Sequence, residues 1–202
     1  MEDNTIKTMA VCRSIPEFAL YGDQEPFITQ MVTSMLAPKL TPKIAITYIR
    51  TPRPHSSINP ISMALASAMI AFREDEERKF MATIMCPSQF VAEQLCDATF
   101  RMMKYSDTHK TRATCRLGFS KVRFTYPSDL RSAVRTGISH VFVLFSSYAI
   151  PKRCIPDIYG ALQYASHVTV IHHGERPEYY DERVDTIDYS ELVAAIGQSE
   201  DK

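Results

Sequence analysis

The amino-acid sequence predicts an α/β protein with three layers, αβα, in which helices cover both faces of a mainly parallel sheet. Three observations favour this fold class. Apolar segments typical of strands alternate with helical segments repeatedly after residue 43, and no hairpin motif separates them. Segment 140–145, His-Val-Phe-Val-Leu-Phe, is apolar on both faces, as buried parallel strands are. Of 202 residues, 45% are hydrophobic and 23% are charged, which is enough apolar material for one sizeable core.

The first strand and the helix after it follow from local composition. Segment 44–49 is β-branched and aromatic, and prolines bound it on both sides. A proline-rich loop follows over 51–60. Pro60 suits the first turn of a helix that Asn59 caps. This helix, predicted over 61–72, is apolar nearly all round, so we expect it to be buried.

The rest of the chain repeats this order of elements. Strand 80–85 ends at Cys86-Pro87, and Ser88 fits the N-cap of the next helix. Residues 105–118 are predicted to form a loop. The later strands are predicted over 80–85, 121–126, 140–145 and 167–172, and the later helices over 89–105, 128–137, 156–165 and 189–196.

A single domain is predicted over 1–202, with a helical lead-in over 1–40 and an acidic segment over 175–202. The lead-in contains a helical segment at 25–36. The acidic N-terminus lacks the pattern of a signal peptide. The longest apolar stretch, 61–72, is shorter than the roughly 20 residues of a membrane span. We therefore expect a soluble intracellular protein, cytoplasmic or nuclear, that does not bind membranes.

Neither a metal site nor a disulfide framework is predicted. The five cysteines are scattered and show no Cys-x-x-Cys spacing, so we expect buried reduced thiols. His172 and His173 are adjacent at the end of a predicted strand. Because adjacent strand residues point to opposite faces, this pair is not expected to share a metal ion.

Three features of the element order follow a known pattern. A glutamine-containing segment with Gln24 precedes the first strand, loop 51–60 follows that strand, and strand 80–85 ends in a proline-containing turn before a helix. This order, over about residues 20–175, resembles the RecA-like ATPase domain of helicases and viral DNA-packaging terminases. The resemblance implies a RecA-like fold, whereas the alternation of strands and helices alone also fits a Rossmann-like fold.

The residues that carry nucleotide chemistry in that family are absent from this chain. Loop 51–60, in the position of the phosphate loop, contains no glycine and no lysine. The polar residues of this vestigial nucleotide loop are Arg53, His55, Ser56 and Ser57. Phe145-Ser146 or Ser146-Ser147 stands where the family has the acidic pair that binds magnesium. The resemblance therefore implies a degenerate domain, for which we predict no catalytic residue and no cofactor.

Charge is distributed unevenly along a chain whose formal net charge is zero. Residues 101–135 contain nine Lys or Arg and two acids, whereas residues 174–202 contain nine acids and three bases. We predict that the basic segment binds DNA or RNA through its phosphates. The candidate residues are Arg101, Lys104, Lys110, Arg112, Arg116 and Arg123. A solvated surface, or neutralisation by the acidic tail or by a neighbouring subunit, would produce the same pattern.

The favoured function is that of a non-catalytic RecA-like protein that binds nucleic acid or serves as an assembly factor. The terminase-like order of elements suggests a viral origin. One alternative is an enzyme for a phosphorylated or nucleotide-like small substrate at the carboxyl edge of the sheet, using Arg50, Arg53 and His55 with the turn 172–175. Another is a structural subunit of a homo-oligomer, held by the basic middle of the chain meeting the acidic tail. The tail is also a candidate for binding a protein partner.

Overall fold

Four α-helices and one 3-10 helix are seen in a computed structural model that describes residues 2–37, 45–50, 58–129, 141–145, 150–151, 156–157, 165, 167–172 and 186–187. The helices are α1 (Glu2–Ser14), α2 (Glu25–Leu36), α3 (Ile58–Ala71) and α4 (Gln89–Met102), and the 3-10 helix is Pro16–Gln24. None of the helices in these ranges is long and apolar enough to cross a membrane.

Seven strands of the described chain form one mixed sheet. They are β1 (Ala45–Arg50), β2 (Met81–Met85), β3 (Thr108–Thr111), β4 (Thr114–Leu117), β5 (Ser120–Thr125), β6 (Val141–Phe145) and β8 (His167–His172). Their order is β1-β8-β6-β2-β5-β4-β3, with parallel pairing from β1 to β5 and antiparallel pairing from β5 to β3. Strands β7 (Ile150–Pro151) and β9 (Thr186–Ile187) form a separate antiparallel pair. The α/β class is therefore confirmed.

The sheet is mixed, and the expectation of a mainly parallel sheet without hairpins is wrong. Residues 105–118, predicted as a loop, contain β3 and β4, which form antiparallel hairpins with each other and with β5. In β4, Cys115 and Leu117 are buried whereas Arg116 between them is exposed. This alternation over four residues is the strand period of two, but it is too short to stand out in the sequence.

The described helices lie together on one face of the sheet. Helix α3 contacts α1, α2 and α4, which explains why nearly all of its side chains are buried. The hydroxyl groups of Ser34 in α2 and Thr169 in β8 are 2.7 Å apart. The Sγ atoms of Cys96 in α4 and Cys115 in β4 are 3.5 Å apart, and the strand register places Thr169 and Cys115 on the same face. The helices predicted over 128–137, 156–165 and 189–196 lie almost wholly outside the described residues.

Several predicted elements agree closely with the structure. Helix α2 and strand β8 have the predicted bounds, and β1, β2, β5 and β6 lie within one residue of theirs. Ser88 caps α4 as expected, its hydroxyl accepting a hydrogen bond from the Val91 N–H at 3.4 Å. Asn59 is not the cap of α3, because this helix begins at Ile58. The Asn59 amide instead donates a hydrogen bond to the hydroxyl group of Tyr21.

The parallel strands do not follow a Rossmann-like order. Numbered by their position in the chain, the five parallel strands run first, fifth, fourth, second and third across the sheet. The Rossmann order, 3-2-1-4-5-6, and the flavodoxin-like order, 2-1-3-4-5, both place the first strand inside the sheet. Here β1 pairs with β8 alone among the described strands. The RecA-like assignment stays a prediction.

Candidate nucleic-acid interface

The basic segment folds into the antiparallel strands β3, β4 and β5, and its cations are divided between two faces. On the face toward α4, Lys110 forms an ion pair with Asp97 and lies 5.8 Å from the centre of the Phe100 ring. In the turn between β3 and β4, Nε of Arg112 lies 2.6 Å from Oε1 of Glu93. Both acids belong to α4, so this helix supplies one carboxylate for each of these two cations.

The pKa shifts agree with this pairing. The hydrogen bond with Asp97 raises the pKa of Lys110, and the hydrogen bond with Glu93 raises the pKa of Arg112. The pKa of Glu93 is lowered first by a hydrogen bond from Gln89 and then by the one from Arg112. The charges of Lys110 and Arg112 are therefore largely compensated within the molecule.

The other face of the same strands carries a row of cationic and titratable side chains. His109, Arg116 and Lys121 occupy directly opposite positions on β3, β4 and β5. Arg123 lies two residues after Lys121 on β5 and therefore shares its face. We call these four residues the basic face. Exposure increases toward the sheet edge, since Arg116 and His109 are exposed whereas Lys121 and Arg123 are partly buried.

No ion pair of the basic face was found among the described residues. Burial lowers the pKa of Lys121, and the charges of Arg116 and Arg123 lower it further. Burial also lowers the pKa of Arg123, which the charge of Asp129 partly offsets. Within the described chain, Nε of Arg123 is buried without a hydrogen-bond partner. These cations repel one another in the free protein, and an added anion would relieve that repulsion.

No protein-family model and no curated protein matches this sequence. The support for a nucleic-acid interface therefore comes from the geometry of the basic face. Its four side chains lie on three adjacent strands about 4.8 Å apart, which gives a row roughly 10 Å wide. Such a row fits several phosphates of a polyanion better than one small ion.

The structure separates the six residues predicted to bind nucleic acid. Arg116 and Arg123 lie on the basic face, whereas Lys110 and Arg112 pair with α4. Arg101 in the last turn of α4 and Lys104 just beyond it are exposed, away from this face. The prediction omitted His109 and Lys121, because their alignment with Arg116 becomes visible only when the hairpin register is known.

The residues predicted for nucleotide chemistry fall mostly outside the described chain. Outside the described residues lie the turn 173–175 after β8 and, between β1 and α3, Arg53, His55, Ser56 and Ser57. Arg50 is exposed at the end of β1. The acidic segment 175–202 is described only at residues 186–187. The predictions for loop 51–60 and for the acidic tail therefore stay predictions.

The carboxyl edge of the sheet is described where β2 and β6 end. The next parallel strand after β2 is β5, on one side, and the next after β6 is β8, on the other side, and α/β domains bind ligands where the strand order reverses in this way. Cys86, just after β2, is fully buried, and burial raises the pKa of its thiol. Ser88 is engaged in capping α4. The described residues that end β2 and β6 therefore provide no charged group and no activated nucleophile.

The four described cysteines are buried and free, as predicted. Cys96 and Cys115 are hydrogen-bonded to each other between α4 and β4. This hydrogen bond lowers the pKa of Cys96 and raises that of Cys115. In the described ranges, no group of three His, Cys, Asp or Glu side chains is placed to hold a metal ion.

Proposed function

We propose that this protein binds the phosphate backbone of nucleic acid through the basic face and acts as a non-catalytic binding or assembly factor. The observation that supports this proposal is the row of His109, Arg116 and Lys121 on three adjacent strands, continued by Arg123. The order of elements further suggests a RecA-like domain that has lost the residues of ATP hydrolysis.

The chemistry of the basic face favours phosphates over base edges. Lysine and arginine side chains that contact phosphate position the protein on the strand without reading its sequence. Phe119, in the turn between β4 and β5, is 51% exposed and precedes Lys121 of the basic face by two residues. An exposed aromatic ring next to cations is suited to stacking on an unpaired base. We therefore expect sequence-tolerant binding that includes single strands.

The test is fluorescence anisotropy with a labelled single-stranded oligonucleotide of mixed sequence and the full-length protein. The variant carries Arg116→Ser with Lys121→Thr, which removes two cations of the basic face. Each phosphate contact contributes about 0.9 on a duplex, or about 0.7 on a single strand, to the slope of log K against log salt. The variant loses two such contacts, so at about 0.1 M salt we expect its affinity to be at least about tenfold lower than that of the unaltered protein.

The chain offers a control with the same change of charge. The pair Lys110→Ser with Arg112→Ser also removes two cations, but these cations are paired with Asp97 and Glu93. We expect this control to lose less affinity than the basic-face variant. An equal or larger loss in the control, or no binding by the unaltered protein at low salt, would refute the proposal.

A further inference from the structure

A pocket of about 300 Å³ opens at the amino edge of the sheet. It is lined by the first residues of three parallel strands, Met81 of β2, Val141 of β6 and His167 of β8, and by Leu36 and Ala37 at the end of α2. This edge is opposite the carboxyl edge at which α/β domains usually bind ligands. The pocket shares no residue with the basic face.

One residue that lines the pocket, His167, has a buried imidazole. This side chain is 7% exposed, and neither ring nitrogen has a hydrogen-bond partner among the described residues. A neutral imidazole always has one donor and one acceptor nitrogen, and leaving both unpaired in the interior is costly. Buried polar groups of this kind are normally satisfied by protein, ordered water or a ligand. Both ring nitrogens are covered where the structure places them, so a ligand in the pocket would supply the missing partner by drawing the imidazole toward it.

The mouth of the pocket is lined by charged side chains from the segment before β2. Arg78 and Lys79 contribute two cations, and Glu77 contributes one carboxylate. Oδ1 of Asp75 accepts hydrogen bonds from the N–H groups of Glu77 at 3.1 Å and Arg78 at 2.8 Å, which holds the backbone of this segment. Asn4, in the first turn of α1, adds an amide.

We propose that this pocket binds a small metabolite through an oxyanion, a carboxylate or a phosphate, held by Arg78 and Lys79 and hydrogen-bonded to His167. Its volume is at the lower end of the range for ligand pockets, about 300–1,000 Å³. The ligand is therefore small, and the site is separate from the nucleic-acid surface.

Nuclear magnetic resonance of the histidine ring nitrogens tests this proposal directly. The full-length protein, labelled with ¹⁵N-histidine, is titrated with sodium phosphate that replaces sodium chloride at constant ionic strength and pH. The His167→Gln variant identifies the His167 signals. We expect these signals to shift and to saturate in the millimolar range. The signals of His109 report separately on phosphate at the basic face, so the proposal for either site can be refuted without the other.

A second titration with sodium acetate distinguishes the two kinds of oxyanion. Saturation by phosphate alone assigns a phosphate ligand, and saturation by acetate alone assigns a carboxylate. If neither anion moves the His167 signals saturably, or if chloride moves them equally, the proposal is overturned.

Variants at the exposed mouth give an independent measurement. Arg78→Ser with Lys79→Ser should weaken the binding of phosphate, or of acetate where acetate is the anion bound, at least about tenfold, because it removes two charge-assisted contacts. Arg101→Ser with Lys104→Ser removes equal charge at two exposed residues that do not line the pocket, and should leave the affinity unchanged. The bound anion at ten times its dissociation constant should raise the melting temperature by about 3–6 °C in the unaltered protein. An equal rise in melting temperature in the Arg78→Ser, Lys79→Ser variant, at the same anion concentration, would contradict binding at this pocket.

Discussion

At the scale of single residues, the turn between β4 and β5 depends on Gly118. This glycine has a φ of 55°, a region that other residues rarely adopt. A Cβ atom at this position would lie 2.1 Å from the carbonyl oxygen of Arg73, far inside van der Waals contact. The turn therefore requires glycine both for its backbone angle and for the close approach of the segment after α3.

Gly118→Ala should consequently destabilise the protein by about 2–4 kcal/mol, since a strained backbone and a displaced neighbouring chain add together. Urea denaturation measures this difference. Gly22→Ala is the matched control, because no atom lies within 4 Å of its added Cβ, and its effect should stay within about 0.5 kcal/mol. Equal stability of the two variants would show that the turn is not built as described.

At the scale of elements, β4 and β5 place two like charges opposite each other. Arg116 and Lys121 are direct cross-strand partners, and such pairs destabilise a sheet. Partial burial lowers the pKa of Lys121 most, and the charge of Arg116 lowers it further. The basic face therefore weakens the free protein while it prepares a surface for an anion.

Lys121→Thr should raise the free energy of unfolding by about 0.2–1 kcal/mol, because it removes the repulsion and threonine suits a strand. The gain should shrink at high salt, which screens charges. Urea denaturation at low and high salt checks both points. Lys110→Thr is the control and should give no gain, since Lys110 loses its ion pair with Asp97. A loss of stability in Lys121→Thr at low salt would contradict the repulsion.

Elements with strong local signals could be predicted from the sequence. Helix α2 and strand β8 were predicted with their observed bounds, and Ser88 was identified as the cap of α4. Each of these has a marked apolar pattern or a specific capping residue. The buried helix α3 was also predicted from its nearly continuous apolar character, although its first turn begins earlier than Pro60.

The hairpins of β3 and β4 could not be predicted in the same way. Their sequences, Thr-His-Lys-Thr and Thr-Cys-Arg-Leu, are short and polar, and no Asn-Gly or Asp-Gly turn joins them. The pairing of Lys110 with Asp97 and of Arg112 with Glu93 depends on α4 packing against these strands. A count of charges along the chain cannot show which cations a distant helix compensates.

At the scale of the whole molecule, the packing of helices decides which charges remain available. The formal net charge is zero, yet carboxylates neutralise the cations unequally on the two faces of β3, β4 and β5. Helix α4 supplies acids on one face, whereas no described acid pairs with Arg116 or Lys121 on the other. The molecule can therefore attract a polyanion at one surface without an overall positive charge.

The salt dependence of binding tests the role of the basic face most directly, because the slope of log K against log salt counts the phosphates neutralised. For duplex DNA the slope is about −0.9 for each phosphate, so three cations, Arg116, Lys121 and Arg123, predict about −2.7. Arg116→Ser with Lys121→Thr should reduce its magnitude by about 1.8. An unchanged slope in this folded variant would contradict binding through the basic face.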